Sequence, residues 1–435
     1  MGLFCWLIFA LSHNEDTDIS ALLKERLTQQ RLDTIALENE MGIWVSFRAG
    51  NRTVEGSSAF GYSSVVPPIP AVVGDVVPAG SIAKTFTATA ILRLVEIGAL
   101  SLDDPITARA NVFVGHLLGH STTLEDLYGP LVANLTLRML LSMQGGLSDY
   151  SDEIVRKIGI EDPLRDIAPQ DYLSNVSIVN CSAWRCHNAS SCEPPTYNSV
   201  GYLLLGLALG QQLGLTRWED VNQLEAAIPT QLVAAYAELG VRFFKHGPCS
   251  EYPRVVHYYD LINGAYVDQY HTSCLNGWAF GNIGISARAA TTFFGDLLGP
   301  SPLILNRETV IEMQQWGAVL ADHTWEKYGL GLMWLPLQRY AYLDATVQST
   351  EPFLFAVGHN GADYGSYAHS AYHPALDASY TIILSKSDGL QLDGKPIKSE
   401  AIFCRAYRVI FELAGHGELG NAALKCDKTP AVMQL

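Results

Sequence analysis

The chain has 435 residues, enough to bury a large core, and its 48% hydrophobic and 17% charged residues are those of a folded globular protein. A formal net charge of −16, with no basic run to interrupt it, argues against nucleic acid and anionic membrane surfaces as partners. The first twelve residues, Met1 to Ser12, form an apolar run followed by polar His13-Asn14-Glu15-Asp16. Such a run suits the core of a signal peptide and is too short to cross a bilayer, so residues 1–12 are read as a leader and the mature chain as lacking a membrane span. Glycosylation sequons at Asn51, Asn134, Asn175, Asn180 and Asn188 point the same way, to a secreted or secretory-lumen protein. Eight cysteines occur without a Cys-x-x-Cys metal spacing. Cys181–Cys192, Cys249–Cys274 and Cys404–Cys426 are candidate disulfides.

In chain order, residues 18–38 read as an amphipathic helix with an N-cap. Two strand-like runs, Ile43 to Phe47 and Ser58 to Tyr62, flank the turn Ala49-Gly50-Asn51-Arg52 and predict a hairpin. A buried helix follows the loop Val77-Pro78-Ala79-Gly80 and ends at Gly98, a C′ glycine. Residues 106–330 are mostly helical in pattern, including Leu135 to Met143, Asn198 to Leu213 and 282–298. Two long loops, 150–196 and 245–281, interrupt them, and loops of that length often line a site. From Tyr328 the period changes to strands, and a helix over 399–414 closes the pattern. The fold class is therefore α+β, with an antiparallel sheet built from about 40–65 and 328–385 and a mainly helical insert at about 100–325. One domain is expected over 18–415, with a tail at 416–435.

The buried helix carries the first chemical signal. Ser81 stands at its entrance and Lys84 three residues on, so the hydroxyl and the amine share a face. A serine hydroxyl needs a neighbouring base, and a lysine becomes one when burial lowers its pKa. The helix supplies that burial, with no charge between Lys84 and Arg93. Its positive N-terminal end would favour an oxyanion forming there.

Four ordered matches extend the signal: Ser81-Ile82-Ala83-Lys84 through Ile106, Leu135-Thr136-Leu137 through Leu147, Tyr197-Asn198-Ser199 through Gly206, and Gly358-His359-Asn360-Gly361. Together they resemble the serine β-lactamase and penicillin-binding-protein superfamily, in its class C β-lactamase, D-alanyl-D-alanine carboxypeptidase and family VIII esterase branch. The resemblance implies that Ser81 is the acylated nucleophile, with either Lys84 or Tyr197 as its base. His359 joins these as the fourth catalytic position. The backbone N–H groups of Ser81 and Ala362 would form the oxyanion hole, and Ser199, Asn360 and Gly361 would line the substrate. No cofactor or metal is implied, and the expected partner is a small-molecule or peptide substrate.

Three positions depart from the β-lactamase pattern. Ser199 stands for asparagine, His359 for lysine, and Met143-Gln144-Gly145-Gly146 for His-Thr-Ser-Gly. These changes weigh against β-lactam hydrolysis more than against acyl-enzyme chemistry. No Gly-x-Ser-x-Gly or His-Glu-x-x-His occurs, and the pairs His116/His120 and His369/His373 have no evident third metal ligand. The expected protein is a serine hydrolase, most simply an esterase. A D-amino-acid-specific peptidase or amidase and a non-catalytic scaffold are the alternatives.

Overall fold

The two ends of the chain meet in one sheet. The computed structural model describes residues 18–50, 52–174, 196–317, 320, 327–337, 342–343, 355–417 and 424–426. Its main sheet comprises β1 (Gly42–Ala49), β2 (Val54–Ser64), β3 (Ile69–Pro70), β4 (Lys327–Tyr328), β5 (Met333–Pro336), β6 (Phe355–Asp363), β7 (Ser366–His373) and β8 (Ala378–Leu384). Among the described residues the strand order is β3-β2-β1-β8-β7-β6-β5-β4, and every pairing is antiparallel. The β1–β8 ladder joins the chain ends, with Val45 opposite Ile382. The turn between β1 and β2 rests on Gly50, whose φ of +60° suits a residue without Cβ.

Helices cover both faces. The N-terminal segment is two helices, α1 (Ile19–Gln29) and α2 (Leu32–Glu38), because Arg31 adopts φ +67° between them. Asp18 caps α1 by accepting from the Ser20 and Ala21 N–H groups. The buried helix is α3 (Ala83–Glu96), followed by α4 (Asp152–Glu161), α5 (Pro169–Ser174), α6 (Ser199–Gln212), α7 (Ala287–Leu298) and α8 (Ser399–Phe411). Phe47 faces α1, and its partner Tyr380 faces α8. Arg48 points to the opposite face, where it pairs with Asp296 of α7 at 3.2 Å. That alternation follows from the two-residue period of a strand.

Helix α3 runs through the middle of the core, with every residue from Ala83 to Leu92 buried. Side chains such as Phe86, Ile91 and Leu92 each contribute roughly 1.5–3 kcal/mol by leaving water. Its threonines avoid a desolvation penalty by reaching carbonyls: Thr85 Oγ1 donates to Gly331 O at 2.8 Å and Thr87 Oγ1 to Ala279 O at 2.6 Å. Gly98 closes the helix with φ +72°, as its position predicts.

Some segments are more regular than their pattern suggests. Within 150–174, α4 and α5 form; α4 starts where the Ser151 side chain accepts from Ile154 N–H. The segment 282–298 is not one helix: Ile283–Ile285 is a strand ahead of α7, paired with Val77–Pro78 and Val241–Phe243. This small sheet fixes the approach to Ser81. Cys249–Cys274 and Cys404–Cys426 are disulfide-bonded. The pair Cys181–Cys192, the leader and the sequons Asn51, Asn175, Asn180 and Asn188 lie outside the described residues. Asn134 is exposed at the end of a turn of 3₁₀ helix. No described helix is long and apolar enough to cross a membrane.

Candidate active site

Ser81 sits in a 3₁₀ turn, Gly80–Ile82, that leads directly into α3. Strand β5 pairs with β6 only as far as Gly358. Beyond that point the Ser81 turn packs on the vacated edge of β6. The approach is backbone to backbone: a Cβ on Gly361 would lie 1.8 Å from Ala79 O, and one on Gly80 would lie 2.1 Å from Ala362 O. Gly80 also adopts φ +47°. Glycine is needed at both places because no side chain fits between the turn and the strand. The backbone of Ala362 is thereby held against the turn that carries Ser81.

The Lys84 amine lies 2.9 Å from Ser81 Oγ and 3.3 Å from the Phe280 carbonyl oxygen. Lysine is fully buried here, between the rings of Tyr197 and Phe280, whose centroids are 4.8 and 5.1 Å from Nζ. Burial lowers its pKa to about 7, opposed in part by the charge of Asp149. The amine is therefore poised to hold or release a proton near neutrality. Residue Asp149, which the sequence did not single out, is the counter-charge. Its Oδ1 accepts from the N–H groups of Tyr150, Ser199 and Val200 at 3.0–3.3 Å. Burial raises its pKa, and Lys84 and these donors pull it back.

Tyr197 precedes α6 and presents its ring to Lys84, with the His359 ring 6.3 Å away between centroids. Asn198 beside it is structural: its Oδ1 caps α6 through Gly201 N–H at 2.6 Å, and its Nδ2 donates to Leu147 O at 2.6 Å. Ser199 is the first residue of α6 and is buried, its N–H committed to Asp149.

On β6 the residues separate by parity. His359 and Gly361 face the Ser81 side. His359 is wholly buried, with Nε2 2.8 Å from the Tyr328 hydroxyl and Nδ1 at the Asn360 carbonyl oxygen. A carbonyl only accepts, so Nδ1 carries a proton, and Nε2 shares a hydrogen bond with the Tyr328 hydroxyl. Asn360 corrects the sequence reading. Its side chain turns to the other face of the sheet, where Oδ1 meets His369 Nδ1, and His369 Nε2 meets the Tyr407 hydroxyl on α8. Strand alternation makes it impossible for His359, Asn360 and Gly361 all to face one substrate.

The structure thus brings Ser81, Lys84, Tyr197, His359, Gly361 and the Ala362 backbone to one corner between α3, α6 and β6. Sequence reading missed Asp149 and Tyr328. Asp149 stands two residues past the matched run ending at Leu147, a proximity that could have flagged it. Tyr328 offers no spacing signal; the β4–β5–β6 pairing delivers it.

Comparison with known proteins bears on the family and the fold. A family model described as Beta-lactamase matches residues 38–372. The structure is similar to the D-amino acid amidase from Ochrobactrum anthropi SV3, with 18% identity and a TM-score of 0.64 over 91% of this chain and 99% of that one. It is similar to a D-stereospecific amidohydrolase from Streptomyces sp., with 17% identity and a TM-score of 0.58 over 84% and 94%. The octameric penicillin-binding protein homologue from Pyrococcus abyssi is alike at 20% identity and a TM-score of 0.59 over 92% and 78%. At such identities the likeness speaks for the fold.

Proposed function

The chain belongs to the β-lactamase family, within the serine β-lactamase and penicillin-binding-protein superfamily, and from that premise we propose that it hydrolyses esters or amides through a covalent acyl-enzyme, with esters favoured. The observation that carries the reading is a buried amine 2.9 Å from a serine hydroxyl, with its pKa brought to about 7. Neutral Lys84 takes the proton as Ser81 Oγ bonds to the substrate carbonyl carbon. The carbonyl π-electrons move to oxygen, which the N–H groups of Ser81 and Ala362 receive. Collapse of that intermediate expels the alcohol or amine, which regains the proton held at Lys84, with Tyr197 as the alternative carrier. Water then repeats the sequence on the acyl-enzyme and releases the acid.

His359 fits this role as a positioning residue. Buried on the Tyr328 hydroxyl and the Asn360 carbonyl, it stands where β-lactamases of this class carry a lysine, and the loss of that permanent cation supports an ester or simple amide over a β-lactam. The similarity to amidases acting on D-amino acid derivatives supports a second reading, D-specific amide hydrolysis. The test is labelling by a fluorophosphonate probe, which Ser81→Ala should abolish; persistent labelling would remove Ser81 as nucleophile. A panel of p-nitrophenyl esters, D-amino acid amides and nitrocefin then separates the readings, and silence on all three would favour a scaffold. The disulfides support a secretory compartment. There, glycosidase treatment of the natively expressed chain should increase its gel mobility.

A further inference from the structure

A cleft of about 200 Å³ opens at the end of β6, beyond the oxyanion corner. It lies between α4, the segment leading into α5, and residues 258–276. Its walls include Ile160, Ile167, Val267 and Leu275. Two buried acids line it, Asp260 and Asp363, and Asp363 is the residue after Ala362, two places along the strand from Gly361. At about 3.4 Å per residue that is roughly 7 Å from the point where β6 touches the Ser81 turn.

Asp363 is only 3% exposed, yet its carboxyl lines the cleft. Oδ1 accepts from Asn276 Nδ2 at 2.6 Å, and Asn276 is itself oriented by the Tyr172 hydroxyl at 2.9 Å from its Oδ1. Oδ2 has no hydrogen-bonding partner among the described residues. The other charges of the cleft are paired: Arg156 with Asp260, and Arg165 with Asp171. Tyr258 and Tyr364 are the remaining titratable groups that line it, and Tyr172 lies behind Asn276. The hairpin tip beside it is closely packed: Gly365, at φ +113°, sets its Cα side against Tyr259 O, 2.2 Å from where a Cβ would sit. A buried acid with one oxygen unpartnered beside an apolar cleft is a costly arrangement unless a ligand completes it.

We infer that this cleft is the acyl-group subsite and that Asp363 receives an ammonium carried by the acyl part of the substrate, beside a leucine-sized apolar side chain. The inference deepens the hydrolase reading and rests on it: the substrates are aminoacyl esters or amides with the amine a few bonds from the scissile carbonyl. The net charge of −16 favours a cationic substrate at long range as well. Burial raises the Asp363 pKa to about 7, with Asn276 opposing and Asp260 reinforcing. The carboxylate is therefore present above neutrality and lost as pH falls.

Binding tests this without turnover. Titrating the Ser81→Ala protein with β-homoleucinamide and with its desamino analogue at about pH 8 should give at least tenfold tighter binding of the amine. The preference should shrink toward unity at about pH 5.5, where the carboxyl is protonated, and in a chain that also carries Asp363→Asn. Equal binding of the two amides at pH 8, no binding of either, or a preference that survives Asp363→Asn would overturn the proposal. The pair of ligands and the pH comparison decide even if Asp363→Asn does not fold. Fluorophosphonate labelling of the native chain is scored separately, so failure of the hydrolase reading is distinguishable from failure of the subsite.

Discussion

Two clusters of buried polar groups lie on opposite faces of β6, and they are built on opposite principles. Beneath α8, Asn360, His369, Tyr407 and Tyr380 satisfy one another. On the other face Lys84 is equally buried but, among the described residues, meets only a hydroxyl and a carbonyl at hydrogen-bonding distance, with its counter-charge Asp149 acting through space. The first arrangement returns the desolvation cost as fixed structure. The second leaves a base short of protons, which is what a nucleophile requires. Burial alone therefore does not mark a functional residue; the kind of partner does.

The comparison can be broken most forcefully at the amine. Replacing Lys84 with Met should lower kcat/KM on the order of a thousandfold, and Lys84→Arg should not rescue it, because guanidinium stays charged. A variant within tenfold of the native rate would return the proton transfer to Tyr197. Next comes Gly361→Ala, which drives a methyl into Ala79 O. It should cost on the order of a hundredfold in kcat/KM and about 2–4 kcal/mol in denaturant unfolding. The far face should respond differently. His369→Ala should lower stability by about 2 kcal/mol, while the folded fraction reacts with a fluorophosphonate at the native rate. A selective loss of reactivity there would show that the two faces are not separable.

The smallest effect is thermodynamic. The folded pKa of Lys84, about 7, lies below its unfolded value. Between the two the unfolded chain holds a proton that the folded chain lacks, so this group's contribution to stability rises with pH across that window. Activity should climb through about pH 7 for the same reason. Lys84→Met should raise Tm by a few degrees at about pH 6 and by less near pH 10. A Tm gain independent of pH would mean that the lysine is not the titrating group.

Much of this was readable from residue order. The paired strand runs at both ends predict the shared sheet, because alternation and a glycine turn leave few other solutions. Ser81 and Lys84 were legible through helical spacing. Asn360 was misread although strand parity excluded it, since a motif was given weight over the period of the strand that carries it. Asp149 and Tyr328 escaped for a different reason: their closeness to the amine and to His359 is made by tertiary pairing, which leaves no fixed spacing. The strand Ile283–Ile285 was hidden because three residues between Asn282 and Ser286 are too few to set a period of two apart from a helical one.

The contact between Gly80 and β6 has a practical consequence. Helical insert and sheet touch there through bare main chain, so the nucleophile acquires its surroundings only when the two halves have docked to within a fraction of an ångström. Secondary structure alone cannot report that event, and a collapsed, misdocked chain would look native by far-ultraviolet dichroism. Stoichiometric capture of a fluorophosphonate would count only molecules whose halves are seated, giving a direct census of assembly in any preparation of this protein.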